Sequence, residues 1–187
     1  NITGVLHGIA VGQLQCAGDV SASGALKRLA AELASRADVR DFETRQLTTA
    51  TWALARSCAC EKRVCKPMVR EICARDVVAM EPAMLSNFLT GVLGCGPSAG
   101  CDGVRSALLH CARRLREGGA PYLAKFRNDE LAQVAWGVGK ACSVVVADDE
   151  GGGIQRVDEA SRARVLAATD DALTGFVAEC RRRGLGA

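Results

Sequence analysis

The sequence predicts an all-α protein, an α-solenoid built from about four two-helix repeats. Hydrophobic residues make up 49% of the 187 residues, but aromatic residues make up only 4%, and there are four prolines. A core of small aliphatic side chains is typical of closely packed helices, whereas a β-sandwich needs β-branched and aromatic strands. The other observation that predicts this class is an internal repeat with a helical pattern.

Four segments share this pattern. They cover residues 2–12, 47–57, 85–95 and 131–141, and their starts are 45, 38 and 46 residues apart. Intervals of this size are the period of two-helix repeat units. When the first residue of each segment is position zero, positions 0, 3, 4 and 7 form one largely apolar helix face in every copy, which predicts that this face is buried.

Position six of the repeat is always small. It is occupied by Gly8, Ala53, Gly91 and Gly137. Glycine inside a helix costs up to about 1 kcal/mol relative to alanine. Its recurrence therefore predicts that the backbone of a neighbouring helix lies close to this position.

Amphipathic segments between the repeats predict the partner helices and a longer C-terminal helix. They cover residues 23–36, 67–76, 103–117 and 159–182. Ser23, Pro67 and Asp102 are residue types that begin helices, so we expect the first three segments to start near them. Glycine and proline at 94–97 and 118–121 predict helix ends.

Position five of the repeat holds Trp52 and Trp136 in two of the copies. We expect both side chains to lie in the core of the stack, where a helix is contacted on more than one side. Tyr122 and Phe126 then remain as candidates for stacking on a nucleic-acid base.

The ten cysteines do not predict a metal site or another cofactor. Cys58, Cys60, Cys65 and Cys73 form the densest cluster, but their spacing matches neither paired zinc knuckles nor a zinc finger. Five cysteines fall at core positions of helices, where cysteine packs as a small hydrophobic side chain; they are Cys58, Cys73, Cys111, Cys142 and Cys180. We expect buried thiols, with one or two disulfides or a metal site as the alternatives.

Catalytic motifs are absent from the sequence. It has no phosphate-binding glycine loop, nucleophile elbow or zinc-protease motif. The adjacent carboxylates Asp170 and Asp171 point to different sides of a helix and form no acid–base pair. His110 and Cys111 are also adjacent in the sequence, so they cannot face each other as base and nucleophile. We therefore predict a protein that is not an enzyme and has no small-molecule substrate; no apolar run is long enough to cross a membrane.

A row of cations on the partner helices is the main indication of function. Lys27, Arg70 and Arg113 are each 43 residues apart, so a stack of repeats would present one cation per unit along one face. Such a row suits a phosphate backbone, and a net charge of +3 fits either this role or ordinary solvated helix faces. The predicted RNA-binding residues are Lys27, Arg28, Arg45, Arg70, Arg113 and Arg114.

Two repeat helices resemble the second helix of octotricopeptide repeats. Residues 42–55 read FETRQLTTATWALA and residues 126–139 read FRNDELAQVAWGVG, similar to the Phe and the Leu-Ala-x-x-x-Trp-Ala-Leu-Ala of that family. The helical repeats of FAST-kinase and RAP-domain proteins are similar. The resemblance implies an organellar α-solenoid that binds RNA, in a mitochondrion rather than a plastid, for example as part of a mitochondrial ribosome.

These observations predict a non-catalytic RNA-binding repeat array over residues 1–187 that belongs to an organellar ribonucleoprotein. The partners are single-stranded or ribosomal RNA and the other protein subunits of the assembly. The alternative is a protein scaffold subunit of a large organellar complex that does not contact RNA, which the mild charge and the shortage of exposed aromatic residues favour.

Overall fold

A computed structural model describes residues 39–57, 59–147 and 158–185, together with the single positions 4, 8, 28, 31 and 32. This part of the chain is all-helical and contains no strand, which confirms the prediction of an all-α protein. Its long helices are α1 Thr44–Arg56, α2 Lys62–Ala74, α3 Pro82–Cys95, α4 Gly100–Leu123, α5 Asn128–Ala147 and α6 Glu159–Arg182. Apart from the single positions, the predicted helices at 2–12 and 23–36 lie outside the described residues.

Local hydrogen bonds and prolines explain where several helices begin. The backbone N–H of Glu43 donates to Oε1 of Gln46 at 3.0 Å and closes a capping box at the start of α1. Pro82 occupies the first turn of α3, where its missing N–H is not needed. Asp158 caps α6 by accepting a hydrogen bond from the backbone N–H of Ser161 at 2.8 Å.

Two of the predicted helix starts are wrong. Pro67 lies inside α2, which begins earlier, at Lys62. The additional first turn buries Val64 and Cys65 in the core, and this burial offsets the hydrogen bond that proline cannot donate. Asp102 lies in the first turn of α4 rather than before it, where its carboxylate still interacts favourably with the helix dipole.

The helices pack in two layers. In one layer α3 lies between α1 and α5, and in the other α4 lies between α2 and α6. The first layer consists of the three described repeat helices, so the repeat pattern brings equivalent faces side by side. The largest fully buried side chains are Phe88, Leu47, Leu54, Met68, Ile72, Met80, Leu85, Leu89 and Leu108.

Gly91 allows the close contact between α1 and α3. A Cβ atom at Gly91 would lie 2.7 Å from the backbone nitrogen of Trp52 and 2.8 Å from the carbonyl carbon of Thr51. The predicted backbone approach at position six is confirmed here. At Gly137 a Cβ would instead meet the side chain of Leu89 at 2.8 Å, so a large side chain from α3 fills this space.

Glycine and proline redirect the chain where the sequence predicts helix ends. α3 ends at Cys95, and Gly96 follows with a φ of 50°. Gly119 has a φ of 55° and a ψ of −157°, which places a kink inside α4 shortly before Pro121. The kink lets the last turn of α4 lead into the short connection to α5.

Arg183 fixes the end of α6 to this connection. Its guanidinium donates to the backbone carbonyls of Leu123 at 3.0 Å and Phe126 at 2.8 Å, and to Oδ1 of Asn128 at 2.8 Å. It also pairs with Glu179 at 2.6 Å. These bonds join the end of α6 to the last residue of α4, to the connection that follows it and to the first residue of α5.

Candidate nucleic-acid interface

A groove of about 720 Å³ crosses the layer formed by α1, α3 and α5. Equivalent repeat positions line it in all three helices, since position five contributes Trp52, Thr90 and Trp136 and position nine contributes Arg56, Gly94 and Lys140. The remaining lining residues are Ala55, Leu93, Gln133 and Val144. We call this feature the Trp groove.

The two tryptophans of the Trp groove are more exposed than the sequence predicts. Trp136 is 60% exposed and Trp52 is half-buried, so the expectation that both lie in the core is wrong. Position five lies about 150° around the helix from the centre of the face formed by positions 0, 3, 4 and 7, so it points away from that face. Within the described chain α5 is also the last helix of its layer, and nothing covers this side.

Hydrogen bonding supports the Trp groove between α3 and α5. The hydroxyl of Ser86 donates to Oε1 of Gln133 at 2.7 Å, which links the two helices beside the tryptophans. Thr90 and Gly94 occupy the positions on α3 where α1 and α5 carry a tryptophan and a cation, so α3 contributes no large side chain at these positions.

The charge of the Trp groove is positive. Arg56 and Lys140 are exposed, and no carboxylate is among the lining residues. In the described part of the chain neither cation forms an ion pair. Other cations do, as when Arg113 pairs with Glu117 at 2.7 Å and Arg75 with Glu71 at 2.9 Å. The groove cations thus keep their full charge for an anionic ligand.

The predicted RNA-binding residues fall on both layers. Arg45 is exposed and precedes Trp52 and Arg56 by seven and eleven residues, which places it on the same side of α1. Arg70 is exposed on α2 and Arg113 on α4, so both belong to the other layer. Arg28 is exposed at one of the single described positions, and Lys27 lies outside the described residues.

Arg114 supports the fold instead of an RNA contact, contrary to the sequence prediction. It is only 8% exposed, its Nε donates to the carbonyl of Met80 at 3.0 Å, and its guanidinium lies 3.7 Å from the centre of the Tyr122 ring. The Tyr122 hydroxyl donates to the same carbonyl at 2.8 Å. Burial raises the pKa of Tyr122 above its usual range.

Tyr122 and Phe126 are also unavailable for base stacking. Both are buried, and their rings pack edge to face with centroids 5.1 Å apart. The aromatic side chains that line the groove are instead the exposed Trp136 and the half-buried Trp52. Their common position five was the available signal, but the sequence does not show which helix closes the layer.

A second cluster is formed by Cys60, Cys65 and Cys95. The sulfur of Cys95 lies 2.6 Å from that of Cys60 and 3.4 Å from that of Cys65, and the three sulfurs all lie within 4.8 Å of one another. The neighbouring thiols lower the pKa of Cys65 to about 4 and raise that of Cys95. Spacing alone missed this cluster because Cys95 follows Cys65 by thirty residues and reaches it through helix packing.

The remaining described cysteines pack as the sequence predicts. Cys111 is buried, and Cys73, Cys142 and Cys180 are half-buried against the core. Burial raises the pKa of Cys73 to about 12, so its thiol stays protonated. Cys58 lies outside the described residues.

Indole faces and exposed cations around one groove can hold a strand of nucleic acid by stacking and by phosphate contact. Comparisons with models of protein families, with curated proteins and with solved structures found no match. No helix in the described part of the chain has both the length and the apolarity that a membrane span requires.

Proposed function

We propose that this chain is a non-catalytic helical-repeat protein that binds single-stranded RNA in the Trp groove. The observation that carries the proposal is the repeat of one position in the two helices on either side of α3: Trp52 and Trp136 at position five, with Arg56 and Lys140 one turn further on. One helix turn separates each tryptophan from its cation, about 6 Å along the axis. Each of the two helices thus offers a base-stacking surface together with a phosphate contact.

The geometry favours a single strand over a duplex. An indole stacks on a base only when that base is unstacked from its neighbours, as in loops and single strands. Each such stack contributes about 1–3 kcal/mol. Arg45 extends the positive side of α1 away from Arg56, over about 16 Å along the helix axis, and gives the strand a path beyond the groove.

We further propose that the two layers are part of an α-solenoid of about four two-helix repeats. The support is that α1, α3 and α5 carry the repeat pattern and lie side by side, while α2, α4 and α6 alternate with them in the chain and form the other layer. In such an array one groove position recurs with every unit. The resemblance of residues 42–55 and 126–139 to octotricopeptide repeats agrees with this arrangement.

The same resemblance supports an organellar role. We propose a mitochondrial ribonucleoprotein, such as a mitochondrial ribosome, as the assembly. The test is to tag the protein in cells and sequence the RNA that is crosslinked to it. Enrichment of mitochondrial transcripts or mitochondrial ribosomal RNA is the expected result. Enrichment of cytosolic RNA alone would exclude a mitochondrial role.

The binding experiment compares two surfaces of the same chain. Affinity for short single-stranded RNA is measured by fluorescence anisotropy over a series of salt concentrations. We expect Trp136→Ala to weaken binding roughly 5- to 150-fold, the equivalent of one lost base stack. Replacing Arg56 and Lys140 together with glutamine should lower the slope of log affinity against log salt by about 1.4, because two phosphate contacts on a single strand are lost.

The control surface is the predicted row of cations. A triple alanine variant at Lys27, Arg70 and Arg113 removes three positive charges but no groove residue. We expect a smaller loss of affinity in this variant than in Trp136→Ala. Loss of binding in the triple variant with full binding in Trp136→Ala would place the RNA-binding surface on the other layer and contradict RNA binding in the Trp groove.

A protein scaffold is the second candidate. The observation in its favour is that Ala55, Leu93 and Val144 give the Trp groove an apolar part beside the exposed Trp136, which also suits the apolar side of a partner helix. Absence of RNA binding at low salt would favour this function.

A further inference from the structure

Three sulfur atoms meet at the junction of the two layers. Cys60 precedes α2, Cys65 lies in the first turn of α2, and Cys95 is the last residue of α3. Cys65 and Cys95 are 0% and 4% exposed, while Cys60 is half-buried. The cluster therefore sits at the edge of the core, with one side open to solvent through Cys60.

The number of sulfurs distinguishes a metal site from a disulfide. A disulfide between Cys60 and Cys95 would use two of them and leave the Cys65 thiol 3.4 Å from Cys95, within reach of thiol exchange. A metal ion uses all three as ligands. Zinc binds thiolate sulfur at about 2.3 Å in tetrahedral geometry, which sets two sulfurs on one ion roughly 3.8 Å apart.

The observed separations can reach this geometry with a small change. The sulfurs of Cys65 and Cys95 are already 3.4 Å apart. The sulfur of Cys60 lies 2.6 Å from that of Cys95 and has to move away by about 1 Å. Residues 59–61 are not helical, so helix geometry does not fix the position of Cys60.

We propose that Cys60, Cys65 and Cys95 bind a soft metal ion of the zinc class, with a fourth position left for water or another ligand. On binding, each thiol that is still protonated releases its proton to solvent, and its sulfur forms a bond to the ion without any change in oxidation state. The partial positive charge at the start of α2 favours the thiolate of Cys65. The ion would link the start of α2 to the last residue of α3 and so connect the two layers.

The test uses purified chain prepared without chelator or added metal. Bound metal is measured by elemental mass spectrometry, and the metal-free chain is titrated with Zn²⁺ against a coloured chelator. We expect one zinc ion per chain and a rise of the unfolding temperature on zinc addition, because zinc binds the folded chain. Substitution by Co²⁺ should give the charge-transfer absorption of a cobalt–thiolate bond.

Two variants test whether the three cysteines are the metal ligands. Cys60→Ser removes a ligand at the least buried position, and we expect zinc affinity to fall at least about 100-fold, more than the loss of an outer-shell contact. Cys142→Ser, which alters a half-buried thiol outside the cluster, should bind zinc as the parent does. Circular dichroism checks that both variants are folded.

Three results would overturn the proposal. They are less than one zinc ion bound per chain at saturation, equal affinity in Cys60→Ser and the parent, or a disulfide between Cys60 and Cys95 in the unreduced protein by peptide mass spectrometry. The zinc and cobalt measurements on the parent chain do not depend on any variant folding. None of these results bears on RNA binding by the Trp groove.

Discussion

His110 is a buried histidine on α4 whose Nε2 atom has no hydrogen-bond partner in the described part of the chain. Its ring meets Phe88 edge-on, with centroids 6.3 Å apart. Burial lowers the pKa of His110, and the positive charge of Arg113 lowers it further, while Asp76 and Glu117 act in the opposite direction. The folded chain therefore holds this histidine neutral under conditions where an unfolded histidine takes up a proton.

We predict that the free energy of unfolding decreases as the pH falls below about 6.5, the ordinary pKa of histidine. Below that pH the unfolded chain binds more protons than the folded chain, so stability falls with pH until the lowered pKa of His110 is reached. His110→Leu should remove this dependence, since leucine is apolar and of similar volume. Urea denaturation at about pH 7.5 and 5.5 measures the difference.

Acidic groups affect the free energy of unfolding at a lower pH, so their effect can be separated from that of His110. Arg182 and Arg183 lower the pKa of Glu179 from 4.5 to about 2, so its contribution is present above pH 4.5 and is lost as the pH falls towards 2. An undiminished loss of stability between about pH 6.5 and 5.5 in His110→Leu would assign the effect to another group.

Arg114 gives the second prediction at the residue scale. Arg114→Leu should destabilise the fold by about 2–3 kcal/mol, because a charged hydrogen bond and a cation–π contact are lost. Its effect on RNA affinity should be small once the variant is folded. Tyr122→Phe removes a single hydroxyl bond to the same Met80 carbonyl and should cost about 1 kcal/mol. A large loss of RNA affinity in folded Arg114→Leu would contradict this assignment.

At the scale of elements, two glycines in neighbouring repeat helices make a matched pair. Gly91→Ala places a Cβ atom 2.7 Å from the backbone of α1, and the helices have to separate. Gly139→Ala adds the same atom on α5, where nothing lies within 4 Å. We expect the first substitution to destabilise the protein by about 1–3 kcal/mol and the second to stabilise it by up to about 1 kcal/mol.

Thermal unfolding of both variants tests the packing of α1 against α3. Helix propensity alone predicts that both substitutions stabilise the protein. An increase in melting temperature for Gly91→Ala would therefore show that the two backbones are not in close contact.

The element scale also shows what the sequence could predict. Hydrophobic periodicity located the described repeat helices, and the small residue at Gly91 predicted their close approach, because both signals depend on local spacing. The exposure of Trp136 depends on whether another helix follows α5 in the layer, and the approach of Cys95 to Cys65 depends on how α3 meets α2. The pattern within one helix contains neither fact.

At the scale of the whole molecule, Arg183 links the end of α6 to the end of α4 and the connection that follows it. Arg183→Ala removes its bonds to the carbonyl of Leu123 at the end of α4 and to that of Phe126 in the connection, and we expect a loss of about 2 kcal/mol with faster hydrogen exchange in α6. Exchange in α1 should change little. Arg181→Ala, an exposed neighbour on α6, is the control, and equal effects of the two substitutions would refute the attachment.

The two layers have a mechanical consequence. The extensive contacts among the described helices join elements one or two places apart in the order α1 to α6, so within this described part of the chain no helix from one end packs extensively against the other end. When force is applied at the C-terminal end, the bonds of Arg183 break first and α6 detaches. The contacts among α1, α2 and α3 persist at this stage. Forced unfolding from this end would thus begin with α6 and leave the packing of the first three helices for later.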